Sequence, residues 1–189
     1  MAGSKQTSGD GPAAGSEAEQ ALDFWSFVDR ASHRLQHEHG YSNPLATRMM
    51  LTLNRSSALV TYDLEASVHR PRGRSWAAFR IMFVLWLAGP LESKRAAQLT
   101  GMSRAGVSNL TSPLVAAVVI ERTRDPHDGR SVRLSLTEAG LAEIEELFAA
   151  HNERELTWAA ALDVDEQKTL IRLLEKLISS AGEDVRRRN

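Results

Sequence analysis

Seven side chains that can carry charge are concentrated in the twelve residues 122–133: four arginines, two aspartates and a histidine. The chain then turns apolar, and folding alone gives no reason for such a concentration. Guanidinium groups bind phosphate and carboxylate oxygens through paired hydrogen bonds, and a neighbouring carboxylate can hold them in place. The segment therefore indicates a surface that attracts a polyanion, and the elements around it must show how that surface is presented.

The net charge of the 189-residue chain is −1, but the charges are segregated along it. Residues 93–133 contain seven Lys or Arg against three acids, a balance of +4, whereas residues 137–166 contain nine acids against Arg154, a balance of −8. A polyanion would be attracted to one half and repelled by the other, which orients its approach. The alternative interpretation is a chance grouping of charges on solvated helix faces.

The composition, 42% hydrophobic and 25% charged, is that of an ordinary soluble globular protein. The chain has no cysteine, which excludes disulfides, thiol nucleophiles and cysteine-based zinc sites. No apolar run approaches the roughly 18 residues that span a bilayer, and the N-terminus lacks the pattern of a secretion signal. We therefore expect a cytoplasmic protein without a membrane partner.

The N-terminal third predicts a tail followed by two long helices. Residues 1–16 are small and polar without periodicity, which is typical of a disordered tail. Apolar residues at helical spacing predict a helix over about 17–39, stopped by Gly40, and a second helix over about 45–68. The segment "HRPRGRS" then breaks the chain.

The next apolar segment, "WAAFRIMFVLWLAG", predicts a helix that ends at Gly89 and carries an aromatic stripe. We interpret the stripe as core rather than as a cofactor-binding face. A short helix opened by Ser93, a tight turn at Gly101 and a helix capped by Ser103 follow. The strands "VVIERT" and "SVRLSL" then flank the turn signal "DPHDG". The aromatic stripe consists of Trp76, Phe79, Phe83 and Trp86.

Two further helices are predicted at the C-terminus. Thr137 caps a helix that runs to about Ala161, and Asp163 with Glu166 forms a capping box for the last helix. Leucines at helical spacing predict that the last helix has a buried stripe. These leucines are Leu170, Leu173, Leu174 and Leu177.

The predicted elements follow in the order helix, short helix, glycine turn, helix and two-stranded hairpin. This order is typical of a winged helix-turn-helix, in which the second helix of the helix-turn-helix motif lies in the major groove of DNA. No acid lies between Glu92 and Glu121. Arginine can pair with guanine and asparagine with adenine, so we predict that the exposed face of this helix reads bases. The candidates are Ser103, Arg104, Ser108, Asn109, Thr111 and Ser112.

The arginine-rich hairpin that follows is placed to reach the neighbouring minor groove, whose narrow A·T-rich stretches attract Arg. Asp128 precedes Arg130 by two residues and is well placed to fix its guanidinium or to pair with Arg124. This wing explains the charge cluster better than solubility does. The candidate DNA-binding residues of the wing are Arg122, Arg124, Asp128 and Arg130.

The stretches "LTGMSRAGVSNLTSPL" and "ERTRDPHDGRSVRLSLTEAG" resemble the MarR family of bacterial transcriptional regulators. The shared features are the D-x-R signature of Asp128 and Arg130, the "RDP" entry to the wing and the "LTEAG" start of the next helix. The resemblance implies a mainly α fold with a small β-hairpin wing, an obligate homodimer and a palindromic operator. It also implies that Arg130 enters the minor groove with Asp128 as its support.

The resemblance further implies how the chain is divided. Residues 17–68 would form helices for dimerisation and a ligand cleft, and residues 69–136 the DNA-binding domain. Residues 137–182 would form dimerisation helices, and residues 183–189 a basic tail. We expect a repressor that a small anionic or aromatic ligand releases from DNA, with no cofactor. We also expect no enzymatic activity, because the phosphate-loop, nucleophile-elbow and HExxH motifs are absent.

Two residues depart from the family's pattern. Pro113 stands inside the expected recognition helix and cannot donate to the Asn109 carbonyl. The helix therefore either kinks, or ends near Thr111 and restarts with Ser112 as its cap. Val118 stands where the family commonly has Gly before the strand.

The long N-terminal segment and "HRPRGRSWAAFR" resemble, more weakly, a subgroup that responds to urate or related organic acids. That resemblance implies Trp25 and Asp63 as ligand-binding residues, with Arg55 or Arg80 as the partner of an anion. The alternative is structural, with Trp25 in the core and Asp63 an acid on a helix surface.

Two other classes of function stay open. His33 and His37 have the i, i+4 spacing that can hold zinc on one helix face, which would suit a metal-responsive regulator. More often such histidines are solvated. The winged-helix surface could also bind a protein instead of DNA, which would make the chain a protein-interaction module. Arg130 at the wing tip would have no particular use in such a module.

Overall fold

The computed structural model describes residues 22–124 and 132–180. The chain divides after Ser57 into two compact units, which are treated in turn. The predicted residues Asp128 and Arg130, and both terminal tails, lie outside the described residues.

The first unit contains helix α1 (Phe24–His37) and the start of helix α2 (Pro44–Leu64). The prediction that α1 begins near residue 17 is wrong, because Asp23 is extended and its carboxylate accepts from the Ser26 amide at 2.7 Å. Asn43 caps α2 in the same way, accepting from the Ala46 amide at 3.1 Å. An ion pair between Asp29 and Arg48 joins the two helices.

The second unit begins within α2, which continues into a π-helical turn (Glu65–His69) and a 3₁₀ turn (Arg70–Arg72). Gly73 then takes a left-handed conformation, φ 71°, and the chain breaks where "HRPRGRS" predicted. π-Helical turns inside helices are frequent at functional sites because they re-aim side chains. Here the turn carries His69 into the core.

Helix α3 (Trp76–Ala88) is the centre of the core. Phe79, Ile81, Met82 and Leu85 are buried on it, while Trp76, Phe83 and Trp86 pack against the same core half-buried. The interpretation of the aromatic stripe as core is thus confirmed.

The helix-turn-helix and its sheet follow α3. Strand β1 (Leu91–Glu92) leads into α4 (Ser93–Thr100) and α5 (Arg104–Ala116), and then into β2 (Ile120–Arg124) and β3 (Val132–Leu136). The sheet is antiparallel with the order β1-β3-β2, and Leu134 of β3 lies opposite both Leu91 and Arg122. A mainly α fold with a small β wing is therefore confirmed.

Two caps predicted for the C-terminal helices are confirmed. Thr137 accepts from the Gly140 amide at 3.0 Å at the start of α6 (Glu138–Ala159). Asp163 and Glu166 form a complete capping box at the start of α7 (Val164–Ser179). Among the described residues, no helix is long and apolar enough to cross a membrane.

The predicted burial of the leucine stripe on α7 is wrong for the single chain. Leu170, Leu173 and Leu177 are exposed, and Leu174 is half-buried. The spacing of the leucines is helical, but none of the described elements covers that face.

Candidate nucleic-acid interface and ligand cleft

Helix α5 has the geometry of the second helix of a helix-turn-helix. Gly101 makes the turn in the left-handed region, φ 65°, and Ser103 caps the helix by accepting from the Gly106 amide at 3.1 Å. Five of the six candidate DNA-binding residues predicted on this helix are exposed. They are Ser103, Arg104, Ser108, Asn109 and Ser112.

The sixth candidate, Thr111, does not lie on the exposed face, and that expectation is wrong. Its side chain is 1% exposed. Val107 and Leu114 lie one turn away on either side and are also buried, so Thr111 shares the core-facing side of the helix. A buried threonine does not touch DNA, so it can affect DNA binding only through the residues to which it is hydrogen-bonded.

Pro113 lies inside one uninterrupted helix, so the alternative in which α5 ends and restarts at Ser112 is wrong. The residues just before the proline form extra side-chain hydrogen bonds within the helix. The hydroxyls of Thr111 and Ser112 both donate to the Ser108 carbonyl, at 3.2 and 3.0 Å. Such bonds supplement a helix whose backbone ladder lacks one donor.

Arg122 and Arg124 lie exposed on β2, next to α5. Arg122 Nη2 donates to Thr111 Oγ1 at 2.8 Å and to Ser112 Oγ at 3.2 Å. The sequence placed Arg122 at the DNA surface but gave no sign of this link, because neither partner is within local reach along the chain.

The ligand candidate Asp63 is occupied within the chain. Arg154 donates to its two oxygens from Nε at 2.6 Å and from Nη2 at 2.7 Å, and Trp158 Nε1 donates at 2.8 Å. The hydrogen bonds from Arg154 and Trp158 lower the pKa of the Asp63 carboxyl below its ordinary value. The same pairing raises the pKa of Arg154.

Arg80 faces a cleft of about 280 Å³ between α3, α4 and α6. Burial lowers the pKa of its guanidinium, and none of the described residues forms a hydrogen bond or ion pair with it. A partly desolvated cation beside aromatic walls can take an anionic group of a planar ligand. The aromatic and ionisable lining residues are Trp76, Phe79, Arg80, Phe83, Phe148, His151 and Glu155.

Two buried histidines lie at this cleft: His151 lines it, and His69 packs against His151. The His69 ring lies 5.2 Å from that of His151 and 4.5 Å from that of Phe79. His151 Nε2 is 3.0 Å from a Glu155 oxygen, whereas neither ring nitrogen of His69 has a partner among the described residues. Burial, and next the charge of His151, lower the pKa of His69 to about 4.

The other two ligand candidates lie in the first unit. Trp25 is 55% exposed, so it is not a core residue of the chain, and its ring meets that of Phe24 edge-on at 5.1 Å. Arg55 lies over the Phe24 ring at 5.6 Å. Phe24 thus contacts both candidates.

The histidine pair considered for zinc is also in the first unit. The rings of His33 and His37 lie 4.5 Å apart. Within residues 22–124 and 132–180, no group of three or more His, Asp or Glu side chains could hold a metal ion.

This fold and surface define a winged helix-turn-helix protein, and comparison with known proteins agrees. The chain is 34% identical over 132 residues, 70% of its length, to an uncharacterized HTH-type transcriptional regulator, YwaE of Bacillus subtilis strain 168, and covers 77% of that protein. No family model matches the chain.

Comparison with solved structures shows which known proteins share this fold. A "probable transcriptional regulator" from Pseudomonas aeruginosa matches with a TM-score of 0.62 and 28% identity, over 67% of this chain and 93% of that one. Bordetella bronchiseptica BpsR, whose DNA binding is regulated by 6-hydroxynicotinic acid, matches with a TM-score of 0.63 and 21% identity, over 69% and 98%. A mutant of E. coli MarR complexed with operator DNA matches with a TM-score of 0.60 and 21% identity, over 68% and 95%. The chain belongs to the HTH-type transcriptional regulators, and it shares the winged helix-turn-helix fold of E. coli MarR.

Proposed function

We propose that the protein is a homodimeric repressor that binds a palindromic operator and leaves it when a small anionic aromatic ligand binds. The observation that carries the proposal is the exposed row of Ser103, Arg104, Ser108 and Asn109 on α5, beside the arginines of β2. Helices of this kind enter the major groove by their N-terminal residues. A mutant of MarR, a protein of the same fold, has been solved in complex with operator DNA, which supports DNA as the partner of this surface.

In the proposed complex, α5 reads base edges while the hairpin reaches the flanking minor groove. Arg104 would pair with guanine and Asn109 with adenine. Arg130, supported by Asp128, is the proposed minor-groove residue, and Arg124 a phosphate partner. A dimer would address two half-sites about one helical turn apart.

The exposed apolar stripe on α7 supports the proposed homodimer. A helix with one apolar face and one charged face needs a partner to cover the apolar side. A second copy of the chain offers the same face and therefore a self-complementary interface. The residues concerned are Leu170, Leu173 and Leu177.

The Arg80 cleft is the proposed effector site. Arg80 would take a carboxylate while Trp76, Phe79 and Phe148 hold an aromatic ring. Asp63 no longer fits as a first contact because Arg154 and Trp158 occupy it. Trp25 and Arg55 stay ligand-binding candidates of the first unit. The ligand can release DNA only if it binds the DNA-incompetent arrangement more tightly.

The regulation of BpsR by 6-hydroxynicotinic acid, an aromatic acid, supports this class of ligand.

Fluorescence anisotropy with two duplexes tests the proposal. The purified protein is titrated against the DNA upstream of its own gene and against a random duplex of equal length, each at two salt concentrations. We expect tighter binding to the upstream DNA that persists as salt rises, and loss of this preference in Arg104→Ala and Asn109→Ala. Arg30→Ala removes an exposed positive charge from the first unit and is the control.

Two outcomes would contradict the proposal. Equal, steeply salt-dependent binding to both duplexes would mean phosphate attraction alone. No binding to either duplex would favour the protein-interaction module. The dimer is tested separately by light scattering, in which Leu173→Glu should yield a monomer and a persistent dimer would refute this interface.

A further inference from the structure

We infer that Arg122 is a positioning residue: it braces the DNA-reading helix α5 against strand β2 and thereby sets the preference for operator over random DNA. This inference rests on the proposed function, since it concerns the same DNA surface. It assigns Arg122 a role different from the phosphate contact that its exposed position on β2 suggests.

The brace is a small network that connects two elements. One terminal nitrogen of Arg122 donates to both the Thr111 and the Ser112 hydroxyls, at 2.8 and 3.2 Å. Each hydroxyl in turn donates to the Ser108 carbonyl. Both hydroxyls therefore act as acceptor and donor at once, and the chain of bonds runs from β2 to the base-reading face of α5.

The position of the brace along α5 explains why it matters. Thr111 and Ser112 immediately precede Pro113, the residue at which the helix lacks a backbone donor to the Asn109 carbonyl. A helix missing this bond bends more easily at that turn. Arg122 attaches the weakened turn to the sheet, so the readers on either side of it keep one orientation.

The turn between α5 and β2 gives a second reason. The chain reverses through Val118, which has φ 58°, and β2 begins two residues later. The angle between helix and wing therefore depends on one short turn and on contacts that span it. Arg122 spans it with hydrogen bonds, and the wing and α5 must address adjacent grooves at the same time.

Thr111→Val isolates the brace, because Thr111 is buried and has no surface to offer DNA. Valine keeps the shape and removes the acceptor. We expect operator affinity to fall about fivefold or more while affinity for the random duplex changes less than about twofold, since a displaced reader loses base contacts but not phosphate attraction. Thr157→Val is the matched control: it also removes a threonine hydroxyl that donates to a carbonyl one turn earlier in its own helix, but on α6.

Arg122→Lys separates positioning from charge. Lysine keeps the positive charge that a phosphate contact needs, but its strongly hydrated ammonium lies on a shorter, more flexible stem and does not reproduce the position from which Arg122 Nη2 reaches both hydroxyls. We expect Arg122→Lys to behave as Thr111→Val does, and the double variant to be no worse than either single variant, because both changes remove the same link.

The inference is overturned if Thr111→Val binds both duplexes normally. It is equally overturned if Arg122→Ala weakens binding to both duplexes alike, with the salt slope reduced by about one, while Arg122→Lys is normal. Either result would make Arg122 a simple phosphate contact.

Hydrogen exchange gives a reading that does not depend on an operator. In the free protein, Thr111→Val and Arg122→Lys should speed exchange of the α5 amides after Pro113, and Thr157→Val should not. If the wild-type protein shows no preference for its upstream DNA, the proposed function fails, but the exchange rates still test whether Arg122 braces α5. Unchanged exchange in both variants would refute the brace whatever the DNA result.

Discussion

Asp63 and Arg154 are 91 residues apart in the chain and meet through two parallel hydrogen bonds of 2.6 and 2.7 Å. Together with Trp158, which donates to the same carboxylate, they join the end of α2 to α6. Paired geometry of this kind is the strongest form of Arg–carboxylate contact. Asp63 therefore stabilises the junction between these helices, and its carboxylate is not free for a ligand.

Asp63→Asn should lower the temperature of thermal unfolding, because asparagine cannot accept both guanidinium bonds. Arg154→Gln should do the same, and the double variant should unfold near the lower of the two single variants, since one interaction is lost in each. Trp158→Phe, which removes one of the three bonds, should have the smallest effect. Additive decreases in the double-mutant cycle would show that the two residues act separately.

Gly140 has no room for a side chain. A Cβ at this position would lie 2.0 Å from the Val119 carbonyl oxygen, which is backbone and cannot turn aside. Gly140→Ala should therefore lower the free energy of unfolding by about 2–3 kcal/mol, as overpacking does. Chemical denaturation measures this change.

Gly106→Ala is the matched control, because Gly106 stands at the same third position after a capping hydroxyl. Its Cβ would meet only the Ser103 Oγ, at 3.2 Å. That side chain can move, and alanine favours the helix by roughly 0.5–1 kcal/mol. Equal losses of stability in the two variants would show that the carbonyl contact at Gly140 is not the cause.

The caps at Ser103, Thr137 and Asp163 could be predicted from the sequence because a capping side chain and the backbone amide that donates to it lie within three residues of each other. The missed features connect distant parts of the chain. Strand β1 has two residues and is defined only by its pairing with β3. The partner of Asp63 and the pairing of His69 with His151 likewise depend on how helices pack.

Periodicity predicts that a helix has an apolar face but not what covers it. The leucines of α7 show the predicted spacing and are exposed, whereas Thr111 looked polar in sequence and is buried between Val107 and Leu114. A threonine can enter a core when its hydroxyl is fully hydrogen-bonded. Arg122 helps to meet that condition by donating to the Thr111 hydroxyl, and the periodicity of the sequence cannot reveal such a contact.

Val118 is strained. Its φ of 58° lies in the left-handed region, which is unfavourable for a β-branched residue, and its side chain is 64% exposed. Val118→Gly should raise the free energy of unfolding by about 0.5–1 kcal/mol, the relief of strain exceeding the added flexibility of the unfolded chain. Val132→Gly, at an exposed position of β3 within the sheet, should instead lower it. A loss of stability in Val118→Gly would show that the turn is not strained.

His69 makes stability depend on pH. It is buried between α3 and α6, next to Phe79 and His151. Burial, then the nearby charges of His151 and Arg72, lower its pKa from 6.5 to about 4, with Glu65 opposing the shift. The neutral form is therefore favoured in the folded state.

The sign of the effect follows from proton uptake. Between pH 6.5 and 4 the unfolded chain binds a proton at His69 and the folded chain does not, so stability falls as the pH falls through this window. The loss should approach about 2–3 kcal/mol near pH 4, with full stability above pH 6.5. Denaturation across this range, compared with His69→Phe, measures it. His69→Phe should lack this part of the acid sensitivity, because phenylalanine suits the aromatic surroundings and cannot be protonated. The control is His39→Gln, at an exposed position, which should follow the wild-type curve. Parallel curves for wild type and His69→Phe would mean that protonation of this buried ring does not drive the acid loss.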